Sequence, residues 1–454
     1  MRTLRSWTQD RLLLGIIKNS AYLFSSNTAA MGLSMLQGIF AARLLGLENF
    51  GIIAAAVIPI TSNVHRLMSF RMSELVVKYL GQALEAGNKE RAGAVVKAAA
   101  LVEGLTSVAA YLVLLAASPQ LALYLAKDSS TAPLFAFYGL FLLSHFIYET
   151  SLGVLQVNRL FNRQATINFI QSIITATLIL AAYLFKGGMW EVLGAYFVGK
   201  TFMGLAMTLV AFRQLRNTLG PGWYRASMSL LPDWREIARF AISTNLHGTV
   251  TLISRDSSSL FISLLRNPAE AGLFRIALTV INFIMLPIEP FIAPTYAEIA
   301  RTVSRYEWSL TRRLLKRVTL ISGIWTIGAG GLVALTGWWL IPAFYGAEYA
   351  PAYPALLALL VGYGFANIFH WNRPLLLALG MPDYALKASA AAGAIKTGLS
   401  LALVGLFGYV FEAALLSGYF LFSIGLILNQ GVRQVRQNET GQAGTGDLGI
   451  HVER

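Results

Sequence analysis

The segment AARLLGLENFGIIAAAV (Ala41–Val57) returns in the second half of the chain as ISLLRNPAEAGLFRIALTV (Ile262–Val280). In both copies an apolar stretch ends, a short loop carries an acidic residue, and a glycine begins the next apolar stretch. Aligning Gly51 with Gly272 gives an offset of 221 residues. Two further landmarks keep this offset within about two residues, Lys89–Lys97 against Leu310–Arg317 and Glu191 against Glu412. Repeated matches at an offset of nearly half the chain predict an internal duplication.

The composition indicates that both copies lie in lipid. Of the 454 residues, 56% are hydrophobic and 13% are charged, about half the charged fraction of a soluble domain. A transmembrane helix needs about 20 mostly apolar residues, and windows of that kind predict twelve spans, at residues 19–43, 50–70, 94–117, 133–156, 165–185, 190–212, 239–264, 272–297, 318–341, 354–379, 387–409 and 411–431. The predicted fold class is an all-α integral membrane protein with about twelve transmembrane helices in two pseudo-symmetric six-helix lobes.

The basic residues indicate the orientation of these spans. Residues near span ends, such as Arg66, Arg239 and Arg373, are counted with the adjacent connections. Of the 36 Lys and Arg, 28 then belong to the terminal segments and every second connection, 5 belong to the other connections, and Lys200, Arg255 and Lys396 lie deeper within spans. Cytoplasmic segments of membrane proteins carry the excess of Lys and Arg. We therefore expect a bacterial inner-membrane protein with both termini in the cytoplasm. The net charge of +14 then reflects contacts with lipid headgroups, so no nucleic-acid partner is expected.

The same map divides the chain into five segments. We predict a cytoplasmic N-terminal segment, a first lobe, a cytoplasmic linker, a second lobe and a disordered cytoplasmic tail, at residues 1–18, 19–212, 213–238, 239–431 and 432–454. None of the connections is long enough for a separate enzyme domain. The chain has no Cys, and its five His show no metal-ligand spacing, so neither thiol chemistry nor a metal site is expected.

Three motifs resemble a known family. KNSAYLFSS (Lys18–Ser26), ARLLGLENFGI (Ala42–Ile52) and ALGMPDYAL (Ala378–Leu386) are similar to segments of the polysaccharide-biosynthesis flippases of the multidrug/oligosaccharidyl-lipid/polysaccharide (MOP) exporter superfamily. The resemblance covers residues 12–432 and implies a MATE-like, V-shaped fold. It also implies alternating-access transport of a polyprenyl-pyrophosphate-linked glycan across the cytoplasmic membrane. Such transport would serve the biosynthesis of cell-surface polysaccharide: the O-antigen of lipopolysaccharide, capsule or exopolysaccharide.

Polar side chains on spans 1 and 7 form the candidate substrate cavity. Seven are predicted to line it: Arg255, His247, Thr251, Ser258, Asn27, Ser34 and Gln37. The four on span 7 fall on one face at about 100° per residue, and Asn27 aligns with His247 at an offset of 220. Ionisable groups within spans rarely face lipid, and the fork of Arg255 suits a diphosphate. Helix packing is the alternative for the small polar residues.

Other charged groups are predicted to serve coupling and passage. Asp256, Glu149 and His370 are candidates for coupling transport to H⁺ or Na⁺, with structural pairing as the alternative, and no other cofactor is expected. Asp256 is expected to point about 100° away from Arg255, so that the two would not form a simple local salt bridge. Five arginines near span ends are predicted to guide an anionic substrate in and out, with interfacial anchoring as the alternative: Arg43, Arg66, Arg71, Arg266 and Arg275.

Two other functions are weighed against a lipid-linked glycan transporter. A cation-coupled multidrug exporter of the same fold would favour acidic and aromatic groups around a cationic drug. An integral-membrane glycosyltransferase or polymerase usually places its reactive groups on a substantial outer loop, which the predicted short connections do not provide. A transporter rather than an enzyme is therefore predicted. Its partners would be the lipid-linked glycan, the bilayer, and polysaccharide polymerase or assembly proteins, and a monomer is expected.

Overall fold

The computed structural model describes residues 11–231 and 234–446; within these ranges, the side chains of 11–27, 243, 244, 247, 290, 293 and 441–446 are not described. The fold is 90% helical, and the described residues contain no strand. Nine segments in this part of the chain are long and apolar enough to cross a membrane. Lipid offers no hydrogen-bond partners to backbone N–H and C=O groups, and a helix satisfies these groups internally. The predicted all-α membrane fold is confirmed.

The helices follow one another with short connections. In chain order they are α1 (Arg11–Gly51), α2 (Ile58–Met68), α3 (Met72–Glu85), α4 (Lys89–Leu121), α5 (Ala132–Gly139), α6 (Phe141–Ser144), α7 (Tyr148–Val157), α8 (Phe161–Leu184), α9 (Met189–Leu219), α10 (Trp234–Thr251), α11 (Ser258–Leu265), α12 (Pro268–Met285), α13 (Glu289–Ser304), α14 (Trp308–Tyr345), α15 (Ala352–Ile368), α16 (Asn372–Ala378) and α17 (Pro382–Gly446). Three π-helical segments interrupt this order, at Ile52–Val57, Ala122–Ala126 and Leu252–Asp256.

Two compact units make up the chain. The first unit comprises Met1–Leu252 and Ser259–Arg275, and the second comprises Ile253–Ser258 and Ile276–Arg454. Residues 253–258 of predicted span 7 thus belong to the second unit, whereas the residues on either side of them belong to the first. The predicted lobe boundaries, with a linker at 213–238, stay a prediction.

Glycines mark the ends of spans inside two of the long helices. The apolar segments Thr28–Glu85 and Pro382–Thr440 each contain a break, at Gly46 with φ 72° and at Gly408 with φ 76°. Glycine reaches these left-handed conformations without a Cβ clash. Both breaks lie where the sequence separates one predicted span from the next, so each segment holds two predicted spans. Predicted span 7 corresponds to α10, the π segment and α11.

The two glycines that define the repeat pack against each other in the first unit. A Cβ on Gly272 would lie 3.2 Å from Gly51 Cα, and a Cβ on Gly51 would lie 1.9 Å from the Pro268 carbonyl oxygen. The backbones therefore approach as closely as only small residues permit, which is typical of helix packing in membranes. The sequence singled out this pair through the duplication alone, and the structure supplies the steric reason for both glycines.

The second unit has a core that extends into the C-terminal helix. Trp308, Trp371 and Leu375 are buried together with Val435 of α17. Arg312 of α14 also pairs with Glu439, at 3.4 Å between Nη1 and Oε2. These contacts account for the continuation of α17 to Gly446, through part of the segment for which the sequence predicted disorder. The rest of that segment, 447–454, lies outside the described residues.

Candidate functional site

The site is built around a guanidinium placed by the π-helical segment Leu252–Asp256. Arg255 Nε donates to Asp256 Oδ1 at 2.8 Å, and the two side chains are 42% and 20% exposed. In a regular α-helix neighbouring residues point about 100° apart, which is why the sequence predicted that they diverge. The expectation that they form no simple local salt bridge is wrong: the long arginine side chain reaches the neighbouring carboxylate although the two residues point in different directions. Such π turns are rare in proteins, and those that occur often lie at functional sites.

Aromatic residues of the second unit surround this pair. Tyr363 and Tyr419 lie within electrostatic range of Arg255. Both rings pack against Phe420, with centroid separations of 4.6 Å for Tyr363 and 5.3 Å for Tyr419. A phenol hydroxyl donates to an oxyanion as readily as it accepts from a cation. The surroundings thus combine the guanidinium and its Asp256 counter-charge with neutral donors that suit a ligand with several anionic oxygens.

A second ion pair in the same unit is fully buried. Lys396 and Glu412, on the two halves of α17 that Gly408 separates, form a salt bridge with side chains 2% and 0% exposed. Lys396 Nζ also donates to Ser258 Oγ at 2.9 Å, and Ser400 Oγ donates to Glu412 Oε2 at 2.6 Å. A buried ion pair is tolerated when further hydrogen bonds complete it in this way. The cluster ties the Ser258 end of span 7 to spans 11 and 12.

The other predicted cavity residues lie in the first unit. Gln37 is 4% exposed, and its Nε2 donates to the Ser172 carbonyl oxygen at 2.9 Å, which joins α1 to α8. Ser34 is exposed on α1, and Thr251 is half-buried at the end of α10. The side chains of Asn27 and His247 lie outside the described part of the structure. Gln37 thus has a packing contact, and the cavity role of this set stays a prediction.

Glu149 and Glu103 are neighbours in the first unit. Glu149 Oε2 accepts from Ser73 Oγ at 2.5 Å. The backbone N–H groups of Glu149 and Thr150 donate to the two carboxylate oxygens of Glu103, each at 2.8 Å. Glu103 is fully buried and caps the start of α7, where backbone N–H groups have no partner within the helix.

His370 is buried in the second unit between α15 and α16. Its Nδ1 lies 3.2 Å from Ser322 Oγ and 3.2 Å from the Asn367 carbonyl oxygen. These neutral partners orient the imidazole ring against α14 and α15. They are the contacts of a packed histidine, and its part in ion coupling stays a prediction.

Two of the five predicted passage arginines lie close to a carboxylate one helical turn away. Arg71 lies 3.1 Å from Glu74, and Arg266 lies 2.8 Å from Glu270. The remaining three are exposed or half-buried: Arg43, Arg66 and Arg275. Exposed ion pairs one helical turn apart fit interfacial anchoring as well as guidance of an anion. The passage role of these arginines stays a prediction.

Three buried charged residues escaped the sequence assignment. Glu103 was missed, Lys396 had no role, and Glu412 served only as a landmark of the repeat. The signal was present, because an ionisable residue within a span is costly unless it is paired, but the sequence does not give the partner. The repeat even suggests a false equivalence. Glu191, aligned with Glu412, caps its own helix by accepting from the Gly188 N–H at 2.6 Å.

Comparison with known proteins supplies the family. Residues 16–300 match the family described as polysaccharide biosynthesis protein. A relative, the inner membrane protein YghQ of Escherichia coli K12, is 26% identical over 362 residues, which are 77% of this chain and 98% of the relative. The resemblance found in the motifs is therefore confirmed over most of the chain.

Solved structures share the fold at low sequence identity. An inward-facing multidrug resistance MATE family transporter of the MOP superfamily has a TM-score of 0.74 at 13% identity, with 90% of this chain and 95% of that chain covered. The lipid II flippase MurJ, in an inward closed conformation, gives 0.70 at 14%, covering 95% and 94%. A MOP superfamily transporter from Pyrococcus furiosus gives 0.63 at 14%, covering 93% and 96%. The chain is thus a membrane protein with the MOP-superfamily transporter fold, and it belongs to the polysaccharide biosynthesis protein family.

Proposed function

We propose that the chain moves a polyprenyl-pyrophosphate-linked oligosaccharide or polysaccharide across the bacterial cytoplasmic membrane by alternating access, for O-antigen, capsule or exopolysaccharide biosynthesis. The family and the fold support a transporter of this kind. The observation that carries the proposal is the Arg255–Asp256 pair, an accessible guanidinium within a predicted span. Both termini lie in the cytoplasm in this proposal, because the Lys and Arg excess falls on their side.

The chemistry of the Arg255–Asp256 pair suits reversible binding of a diphosphate. Arg255 has further N–H donors beyond the Nε that meets Asp256, and a planar guanidinium can grip a phosphate with two parallel bonds. Asp256 balances the charge of the empty site, so the guanidinium is never left alone in the membrane. A diphosphate would compete with that carboxylate, and the bound substrate could therefore leave again on the other side.

Coupling belongs to the same proposal. Asp256, Glu149 and His370 are the candidate groups for H⁺ or Na⁺. Asp256 is the strongest of them, because a cation bound there would release the arginine for the substrate. Glu149, next to the buried Glu103 carboxylate, offers a second acidic place in the first unit.

The test is made in cells that produce a surface polysaccharide through this chain. Deletion of the gene should leave lipid-linked glycan on the cytoplasmic leaflet, and the intact gene should restore its outer-leaflet level. Arg255→Ala, expressed at the same level in the membrane, should restore little, and Arg255→Lys should restore part. Normal outer-leaflet levels with Arg255→Ala would reject the role of Arg255. Normal levels in the deletion strain would reject the function.

A multidrug exporter is the second candidate, favoured by the TM-score of 0.74 to a MATE family transporter. A cationic drug would be repelled by Arg255 unless Asp256 made the main contact. The two candidates separate in a dye-efflux assay with ethidium, where the glycan transporter gives no efflux above the deletion strain. In that assay Asp256→Asn would abolish drug efflux, whereas Arg255→Ala would abolish glycan transport.

A further inference from the structure

The second unit contains a cavity that the proposed transport does not use. It has a volume of about 900 Å³ and lies between α14 and α17, within the size range of small-molecule sites. Four basic side chains line it, Arg312, Lys316, Arg433 and Arg436, with one acidic side chain, Glu439. The lining therefore carries a net charge of +3. Apart from these groups the cavity is mostly apolar.

The basic side chains are crowded on two helix faces. Arg312 and Lys316 are four residues apart on α14, and Arg433 and Arg436 are three apart on α17, spacings at which like charges repel. Within the described residues, the ion pairs relieve this charge only through Glu439, which lies 3.4 Å from Arg312. Three further positive charges face the same space. An anion in the cavity would remove the repulsion.

One side of the cavity is built like a membrane interface. Trp371 lines it and is anchored by a hydrogen bond from Nε1 to Thr319 Oγ1 at 2.7 Å. Leu320, Leu428 and Val432 add apolar surface beside the arginines. Tryptophan and arginine next to aliphatic surface are typical of the headgroup level of a bilayer. The ligand that fits has a charged head and an apolar body.

The first unit shows what happens when the corresponding place is covered. The repeat aligns Phe212 with Arg433, 221 residues apart. In the first unit Trp223 packs on Phe212 with a ring separation of 5.4 Å. Lys97 Nζ donates to the Ala226 carbonyl oxygen at 3.2 Å.

The segment that contains Trp223 and Ala226 lies directly over α4 in the first unit. A Cβ on Gly93 would come within 2.8 Å of the Trp223 carbonyl oxygen, so backbone and indole leave no room there. In the described part of the second unit, arginine takes the place of the phenylalanine and the cavity is open. The difference turns an internal packing contact into a cationic cavity.

We infer that this cavity binds an anionic phospholipid of the membrane leaflet that contains it. The phosphate lies between the cations of α14 and α17, and the acyl chains lie against Leu320, Leu428 and Val432. Basic pockets between transmembrane helices bind anionic headgroups through this combination, and arginine grips phosphate with paired bonds. The site holds whether or not the chain transports a glycan, since it shares no residue with the Arg255 pair.

The experiment is a lipid titration of the purified full chain, followed by native mass spectrometry. The probe is dioleoyl phosphatidylglycerol, with dioleoyl phosphatidylcholine as the neutral lipid. The wild type should retain phosphatidylglycerol in preference to phosphatidylcholine. Arg433→Gln with Arg436→Gln should weaken phosphatidylglycerol binding by on the order of tenfold, the effect of two lost charges near a lipid headgroup.

The chain offers a matched control on the same helix. Arg313 and Arg317 have the spacing of Arg312 and Lys316, but they do not line the cavity. Arg313→Gln with Arg317→Gln should leave binding within about twofold, whereas Arg312→Gln with Lys316→Gln should weaken it about as much as the α17 variant. Equal losses from the control and the cavity variants would show general surface attraction and overturn the inference.

Two further arms distinguish other occupants. Inorganic phosphate at millimolar concentration should not displace phosphatidylglycerol, because it lacks the apolar body. Displacement would assign the cavity to a free anion and overturn the lipid. Deletion of residues 441–454 should leave lipid binding unchanged, and a severalfold gain on deletion would show that the chain's own tail occupies the cavity instead. Equal retention of phosphatidylcholine would also overturn the inference.

Discussion

The second unit holds two ion pairs that differ in almost every physical respect. Lys396 and Glu412 are 2% and 0% exposed, come from opposite sides of the Gly408 break, and have serine hydroxyls as further partners. Arg255 and Asp256 are chain neighbours, are 42% and 20% exposed, and are joined by the hydrogen bond from Arg255 Nε to Asp256 Oδ1. The first pair is completed by the protein itself. The second keeps donors that a ligand can use.

The difference separates a structural charge from a functional one. Both lysine and arginine lie within predicted spans, so the cost of an intramembrane charge marks them equally. The burial of each pair and the completeness of its hydrogen bonding then decide whether its role is structural or functional. A pair with no surface and complete hydrogen bonding holds helices together, whereas a pair with accessible surface can exchange its partner. Each prediction below acts on one side of this comparison.

The largest effect is expected from breaking the buried pair. Glu412→Gln leaves the Lys396 ammonium in the interior without a counter-charge, which should cost about 3–5 kcal/mol of unfolding free energy. Reversible SDS unfolding in mixed micelles measures this loss. Replacing both partners, Lys396→Met with Glu412→Leu, should recover most of it, because two apolar groups of similar size need no partner.

The aligned glutamate serves as its control. Glu191→Gln keeps an oxygen that can accept from the Gly188 N–H, so this capping change should cost under about 1 kcal/mol. Equal stability of Glu412→Gln and the wild type would contradict the structural role of the buried pair.

A smaller effect is expected from a methyl group placed between the two ion pairs. A Cβ on Gly393 would lie 2.1 Å from Ser254 Oγ, next to Arg255. Gly393→Ala must therefore move span 7 away from α17, at a cost of about 1–3 kcal/mol, and should slow transport by shifting the guanidinium. SDS unfolding and the glycan assay measure the two consequences.

Gly398 provides the matched site on the same helix half. A Cβ there meets nothing within 4 Å, and alanine is the better helix former by about 1 kcal/mol. Gly398→Ala should leave transport intact and stability unchanged or slightly raised. If both alanine variants behaved alike, the close packing of Gly393 on Ser254 would not matter.

The smallest effect on stability is expected at the accessible pair. Asp256→Asn should change the unfolding free energy by less than about 1 kcal/mol, since an exposed ion pair contributes little when water solvates the remaining charge. The same SDS unfolding experiment applies. A loss of several kcal/mol would mean that the guanidinium lies against acyl chains, and the cavity proposal would then fail.

Much of the fold was within reach of the sequence. Hydropathy predicts apolar helices that the structure confirms, with breaks at Gly46 and Gly408 between predicted spans. These features are local, since each depends on composition within one span or on a glycine at its end. The packing of Gly51 on Gly272 was marked by the repeat even though its steric cause was not visible.

The site was predictable only in part, for physical reasons. Arg255 stands out as the one arginine among the three cations deep within predicted spans, but its contact with Asp256 depends on the bend of its long side chain, which a helical projection ignores. The sequence predicts Gln37 as a cavity residue but does not show its hydrogen bond to the Ser172 carbonyl oxygen of α8. Glu103 and Glu412 needed partners from distant parts of the chain. Local pattern identifies costly charges, and only three-dimensional structure shows how each is neutralised.

The most direct test of the account is glycan translocation in proteoliposomes that contain the purified chain and an undecaprenyl-pyrophosphate-linked oligosaccharide. The wild type should move the glycan between leaflets. Arg255→Ala should slow it about ten- to hundredfold, the factor for a lost charge-assisted hydrogen bond of about 1.5–3 kcal/mol, while remaining as stable as the wild type within about 1 kcal/mol. Translocation by a folded Arg255→Ala variant at the wild-type rate would contradict the account.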